Sequence, residues 1–267
     1  MSTASLAKEV RRLRERRISL RKEIPVDRVE FARLVGYEPD SWQEQLLHST
    51  AARVLINASR QSGKRSMAAV IAMHQALAAP SSTVLIVSPV LRQSAELYRK
   101  CAEIYGALGR PVPADSETRL SLDLSSGSRV LSLPGRTGDT VRGYTADLLI
   151  CDEASRIGDD LYASIRPMLA TTGGRLLTLS TPAGRRGWWF EAWTIGGPSW
   201  QRYEVPASQC ARISSEFLEE EQRALPARIF RQEYECSFED TEDQVFALED
   251  VETAITDEVS PLFEEAS

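Results

Sequence analysis

The sequence predicts an α/β fold with a mainly parallel central sheet flanked by helices, followed by a smaller, more helical C-terminal section. Two observations predict it. Four short runs have continuous apolar centres, at residues 53–57, 83–88, 147–152 and 175–180, the pattern of strands covered on both faces rather than one. Stretches of helical period separate these runs, so the strands join through crossovers and run parallel. A length of 267 residues, 42% hydrophobic and 26% charged, suits one large domain or one with a small appendage.

In chain order, residues 5–22 read as an Arg-rich helix, and residues 26–47 as mostly helical with breaks near Gly36 and Pro39. The first strand, Arg53-Val-Leu-Ile-Asn57, leads through a loop ending in Lys64 to an Ala-rich helix that reaches Ala79. Thr83–Ser88 is the second strand, with a helix from Leu91 to Leu108 behind it. Shorter strands are expected at 120–124 and 129–133. The strand 147–152 is followed by a helix over 160–169, and 175–180 completes the parallel set. Beyond Gly187 a strand at 201–205 and helices over 215–234 are expected. The chain accordingly divides into a basic arm (1–25), a core (26–186), a smaller section (187–240) and an acidic tail or linker (241–267).

Composition excludes several classes of function. No stretch approaches the ~18 apolar residues of a membrane span, and residues 1–20 have no apolar h-region, so secretion is not expected. Four scattered cysteines without a CxxC pair, and two histidines, argue against a disulfide scaffold, a zinc site and a Ser-His-Asp hydrolase. The chain reads as a reduced, cytosolic protein. The formal charge of -6 hides an asymmetry: residues 1–22 hold eight Lys/Arg against two Glu, while thirteen Asp/Glu and no Lys/Arg follow from Glu233 on. A basic arm suits nucleic acid or an acidic partner; it equally suits a solvated, charge-laced helix.

The strongest chemistry lies between the first strand and its helix. Ser59-Arg60-Gln61-Ser62-Gly63-Lys64 is a loop of mostly small residues between a buried strand and a helix start, where backbone N–H groups converge on phosphate oxygens and the helix dipole favours the anion. Lys64 adds a charge that reaches the β- and γ-phosphates. Two positions depart from the usual G-x-x-x-x-G-K-[ST] loop: Ala58 stands for the first glycine, and Arg65 for the hydroxyl that holds Mg²⁺. Either Ser66 substitutes through a shifted turn or a water, or metal binding is weakened. Downstream, an apolar strand ends in Asp152-Glu153. Asp152 is expected to hold Mg²⁺, and Glu153 to orient and deprotonate the attacking water. The alternative is that the pair caps the next helix.

Taken together, Arg60-Gln61-Ser62-Gly63-Lys64, Leu149-Ile-Cys-Asp-Glu-Ala154 and Ser180-Thr181-Pro182-Ala183-Gly184 resemble the ATPase domain of the large terminase subunit of tailed bacteriophages, over roughly residues 30 to 245. The resemblance implies a P-loop NTPase fold with a C-terminal lid over 187–240, in whose core Trp188 and Trp189 would sit. It implies ATP and Mg²⁺ as cofactors and double-stranded DNA, a portal protein and the small terminase subunit as partners. It also implies a homo-oligomeric ring when active, with monomers in isolation an alternative, in the cytoplasm of an infected bacterial host. Gln43 matches an adenine-recognising glutamine, Arg60 an arginine that faces the γ-phosphate, and Arg142 one presented to a neighbouring subunit's ATP. Ser180 and Thr181 match a motif that couples phosphate sensing to the lid. The nucleotide-binding set is therefore Gln43, Ser59, Arg60, Gln61, Ser62, Gly63, Lys64, Arg65 and Ser66. Because the chain reaches its acidic tail before any nuclease-like strands, no nuclease activity is expected. Two rival readings stay open: a helicase-like ATPase of DNA repair, and a nucleotide-binding packaging module whose hydrolysis Arg65 impairs.

Overall fold

The computed structural model describes residues 24–135 and 143–240. Residues 1–23 of the basic arm and the whole acidic tail therefore lie outside the described residues. Eight strands form one sheet in the order β3-β4-β5-β2-β6-β7-β1-β8. They are β1 (Arg53–Ala58), β2 (Thr83–Ser88), β3 (Ala114–Glu117), β4 (Ser121–Leu124), β5 (Arg129–Pro134), β6 (Leu148–Asp152), β7 (Arg175–Ser180) and β8 (Gln201–Val205). From β5 to β8 all neighbours are parallel; β3 and β4 extend the sheet antiparallel at one edge.

The helices are α1 (Arg28–Leu34), α2 (Ser41–His48), α3 (Lys64–Ala78), α4 (Leu91–Ala107), α5 (Asp159–Ile165), α6 (Gly187–Thr194), α7 (Ser215–Ala224) and α8 (Ala227–Tyr234). The continuous apolar runs are explained by the two faces they fill. Val54, Ile56, Val84 and Ile86 pack with α1 to α4 in one core, while Leu55, Leu85, Val87 and Cys151 pack with α5 and α6 in the other. Helix α3 is buried along nearly its whole length, and its alanines at 68, 69, 72 and 76 let it lie close on the sheet. All four cysteines are free and buried.

Three details differ from the sequence expectation. The stretch expected as one helix over 160–169 is α5 followed by a 3-10 turn, Arg166–Leu169, because Pro167 cannot donate into the α-helical ladder. Strand β3, with the sequence Ala-Asp-Ser-Glu, was not expected; it is short and mostly exposed, held by backbone pairing to β4 rather than by apolar burial. Strand β8, expected in the smaller section, is the edge of the main sheet, parallel to β1 from Val54↔Gln201 to Ala58↔Val205. Trp188 and Trp189 likewise fill the second face of the main sheet, Trp188 stacked on Tyr162 with 3.7 Å between ring centroids. The section beyond β8 has a small core of its own, in which Ala207, Phe230 and Tyr234 are buried and Ile213, Leu218 and Leu225 pack against them.

Candidate functional site

The parallel topology places the chemistry-bearing residues at one edge. β7 lies between β6 and β1, so Asp152, Ser180 and the loop after Ala58 emerge side by side at the strands' C-terminal ends, where open α/β sheets bind ligands. The turn into α3 is tight: Gln61 (φ 59°) and Gly63 (φ 86°) are left-handed. Met67 N–H is the donor that closes the first turn, onto the Gly63 carbonyl at 3.2 Å. The amides ahead of it, at the start of this 15-residue helix, have no intrahelical acceptors and mark an anion site.

Lys64 is buried and donates to the carbonyls of Ala58 at 2.8 Å and Ser59 at 2.9 Å. Burial pulls its pKa down, against the pull of Glu153 and Asp152. Asp152 has no solvent exposure, and burial pushes its carboxyl up to about 6 despite the opposing Arg65 charge. Arg65 Nε donates to Asp152 Oδ2 at 2.7 Å and its NH2 to Glu153 Oε1 at 2.5 Å. Partial burial works against the Arg65 charge, but the two carboxylates outweigh it and raise its pKa. Glu153 sits in the left-handed region (φ 54°), which turns its side chain away from the strand direction of Asp152; its Oε2 accepts from Arg156 NH1 at 2.9 Å.

A cavity of about 790 Å³ opens over these groups, walled by residues 60–66 on one side and by Glu153, Arg156 and Thr181 on another. The third wall is one face of α4, with Arg92, Glu96 and Lys100 at i, i+4 spacing. Of the residues predicted from sequence, Gln61, Ser62, Gly63, Lys64, Arg65, Ser66, Glu153 and Thr181 share this cavity. Ser59, Asp152 and Ser180 are buried behind it. Arg60 lies on the wall, yet its Nε is spent on Glu233 Oε2 at 2.6 Å. Gln43 is buried and tethered: its Oε1 accepts from Asp40 N–H at 3.0 Å and its Nε2 donates to the Ser62 carbonyl at 3.1 Å. Arg142 lies outside the described residues.

Several residues of the site were missed by the sequence reading. Ser155 Oγ lies 2.7 Å from Ser180 Oγ and donates to the Thr181 carbonyl at 2.8 Å, tying the end of β6 to the end of β7. Arg212 holds Asp40 in a two-point contact and also donates to the Ser62 carbonyl at 3.2 Å. The i, i+8 cations Arg92 and Lys100 of α4, and Arg156, three residues beyond Glu153, were visible as spacing. Arg212 and Glu233 were not, because they reach the loop from far along the chain.

The donor set does not fit Mg²⁺ as it stands. All four oxygens of Asp152 and Glu153 accept N–H groups of the chain itself: Oδ1 of Asp152 from Glu153 N–H at 3.1 Å, the others from Arg65 and Arg156. The residue after Lys64 offers a cation where a metal needs an oxygen.

The sequence profile described as terminase large subunit, T4likevirus-type, N-terminal, matches residues 55–253. The chain belongs to this family. Among its relatives, the terminase large subunit of Thermus virus P23-45 is 27% identical over 254 residues, covering 82% of this chain and 52% of the relative. That of Escherichia phage T5 is 27% identical over 196 residues, 70% of this chain and 44% of the relative. The chain spans about half the length of the curated relatives it matches. The solved large terminase ATPase domain of Thermus phage P74-26 superposes with a TM-score of 0.73 at 25% identity, over 82% of this chain and 100% of that one. The α/β architecture of this terminase chain is thus that of a terminase ATPase domain.

Proposed function

We propose that this chain binds and hydrolyses ATP as the motor domain of a terminase that drives double-stranded DNA into a capsid. One observation carries the reading: a buried lysine, held by the carbonyls of a tight loop at a helix start, shares a cavity with Glu153 at a neighbouring strand end. Supporting it is the likeness of this chain, over 82% of its length, to a solved terminase ATPase domain.

In this reading the first-turn amides of α3 and Lys64 hold the phosphates, the lysine neutralising charge that develops on the leaving oxygen. Glu153 is the base that orients a water toward the γ-phosphate, through Oε2 once that oxygen is released from Arg156. Ser180 and Thr181 pass the state of the phosphate site to β7. Arg60 and the helices beyond β8 serve as phosphate sensor and lid, and Arg142 acts on a neighbour's nucleotide in a ring. Portal protein, small terminase subunit and DNA are the proposed partners, in the cytoplasm of an infected bacterium. Among the described residues no helix is long and apolar enough to cross a membrane.

Steady-state hydrolysis across a range of protein concentration tests this. Glu153→Gln should abolish turnover while nucleotide still binds, and Lys64→Ala should abolish binding. Turnover per subunit that rises with concentration supports the ring; loss of binding in neither variant would sink the assignment. A second reading, a nucleotide-binding module with weak hydrolysis, is favoured by the Arg65 contact to Glu153; Arg65→Ser would then raise turnover sharply.

A further inference from the structure

We propose that Arg65 supplies the cation at the carboxylate end of the cavity, so that this site takes a nucleoside triphosphate in its metal-free form. The inference rests on the nucleotide reading above and specifies the form of the substrate.

A divalent metal in such a site bridges carboxylates on one side and phosphate oxygens on the other. A guanidinium carries five N–H donors in a fixed fork and does not lose its proton. Here two of the five are used, Nε–H on Asp152 Oδ2 at 2.7 Å and one NH2 proton on Glu153 Oε1 at 2.5 Å. The remaining three belong to a side chain that lines the cavity beside Ser62, Gly63 and Lys64. Arg65 is therefore placed to bridge carboxylates and phosphate without leaving either.

Charge points the same way. A metal entering between Asp152 and Glu153 has to displace a guanidinium from an aspartate with no solvent exposure, leaving that cation to find a new partner. The charge of a metal-free triphosphate faces cations already on the cavity wall, which outnumber the wall's carboxylates Glu96 and Glu153. Besides Arg65 these are Lys64, with Arg92 and Lys100 on α4, the latter two without an ion-pair partner among the described residues. The hydroxyl that usually follows the loop lysine as a metal ligand is absent in favour of the arginine itself.

The test is calorimetric binding of ATPγS to the whole chain in excess EDTA and in excess Mg²⁺, with Mn²⁺ alone followed by electron paramagnetic resonance. For the unmodified chain the two affinities should agree within about threefold, and Mn²⁺ alone should not bind. Arg65→Ser should lose about tenfold or more in EDTA, recover it with Mg²⁺, and gain a Mn²⁺ site. Binding by the unmodified chain that tightens about tenfold or more with Mg²⁺ would overturn the inference, and needs no variant to fold. A Mn²⁺ site in the unmodified chain would overturn it as well. Absence of ATPγS binding in both buffers, by a chain shown to be folded, would instead overturn the nucleotide reading itself.

Discussion

Position 63, just ahead of Lys64, makes two demands that glycine alone meets. Its φ is +86°, and a Cβ placed there would lie 2.7 Å from Gln43 Nε2 and 3.2 Å from Arg212 NH2. Alanine would carry the left-handed penalty of about 1–2 kcal/mol and would push Gln43 off the Ser62 carbonyl, at about 1 kcal/mol more. Gly63→Ala should therefore destabilise the chain by about 2–3 kcal/mol in urea denaturation. In the Gln43→Ala background the same change should cost less, since its contact is gone; equal costs in both backgrounds would show that the contact is unimportant. Gly63 was legible in the sequence because the loop's placement between strand and helix demanded it. The job of Gln43 was not. Its amide bridges Asp40 and the phosphate loop, two tethers that no spacing in the sequence announces. Arg65 shows the same limit: its presence at a hydroxyl position was visible, but which groups its fork would reach depended on β7 alone separating β6 from β1.

Between elements, Ser155 is the tie joining the acidic strand end to the Ser180-Thr181 turn. Losing a part-buried contact of about 1–1.5 kcal/mol that matters only when the phosphate state is relayed gives about a tenfold fall in rate. Ser155→Ala should thus lower ATP turnover about tenfold with nucleotide affinity nearly unchanged; affinity falling in parallel would mean the serine merely supports the loop. A second prediction concerns α1, whose N-cap Asp27 Oδ1 accepts from Val29 N–H at 2.8 Å and Glu30 N–H at 2.9 Å. The Glu30 amide bond leads the effects that hold the Asp27 carboxyl below its ordinary value. A folded pKa below the unfolded one stabilises the fold above the ordinary carboxylate range, and the gain disappears as pH falls through the folded value. Asp27→Ala should cost about 1 kcal/mol at neutral pH, and the gap to the unmodified chain should close in acid; a gap that holds constant with pH would exclude the carboxylate as its source. The central strands were legible because burial on both faces leaves an unbroken apolar run. The edges were legible only in part: β3 is polar and was not expected, while β8 was expected at 201–205 but its alternation does not tell which sheet it joins.

Across the whole molecule, the section beyond β8 is tied to the phosphate loop as well as to itself. Its own core is small, while Arg60 N–H donates to the Glu233 carbonyl at 3.2 Å and Asn57 Nδ2 to the Cys236 carbonyl at 2.8 Å. The side-chain bridge from Arg60 to Glu233 joins a guanidinium that is 65% exposed to a carboxylate that is 12% exposed. An ion pair of that exposure is worth at most about 1 kcal/mol, so a phosphate in the adjoining cavity, with more charge than one carboxylate, competes for Arg60 on favourable terms. Drawing Arg60 inward removes one of the few contacts that hold α8. Hydrogen exchange over residues 227–234 should then speed up when nucleotide is added to the unmodified chain. In Glu233→Ala it should be fast from the start and respond little to nucleotide. Exchange in α8 that ignores nucleotide in the unmodified chain would mean that the bridge survives binding, and the route from phosphate to the C-terminal helices would have to run through Ser155, Ser180 and Thr181 instead.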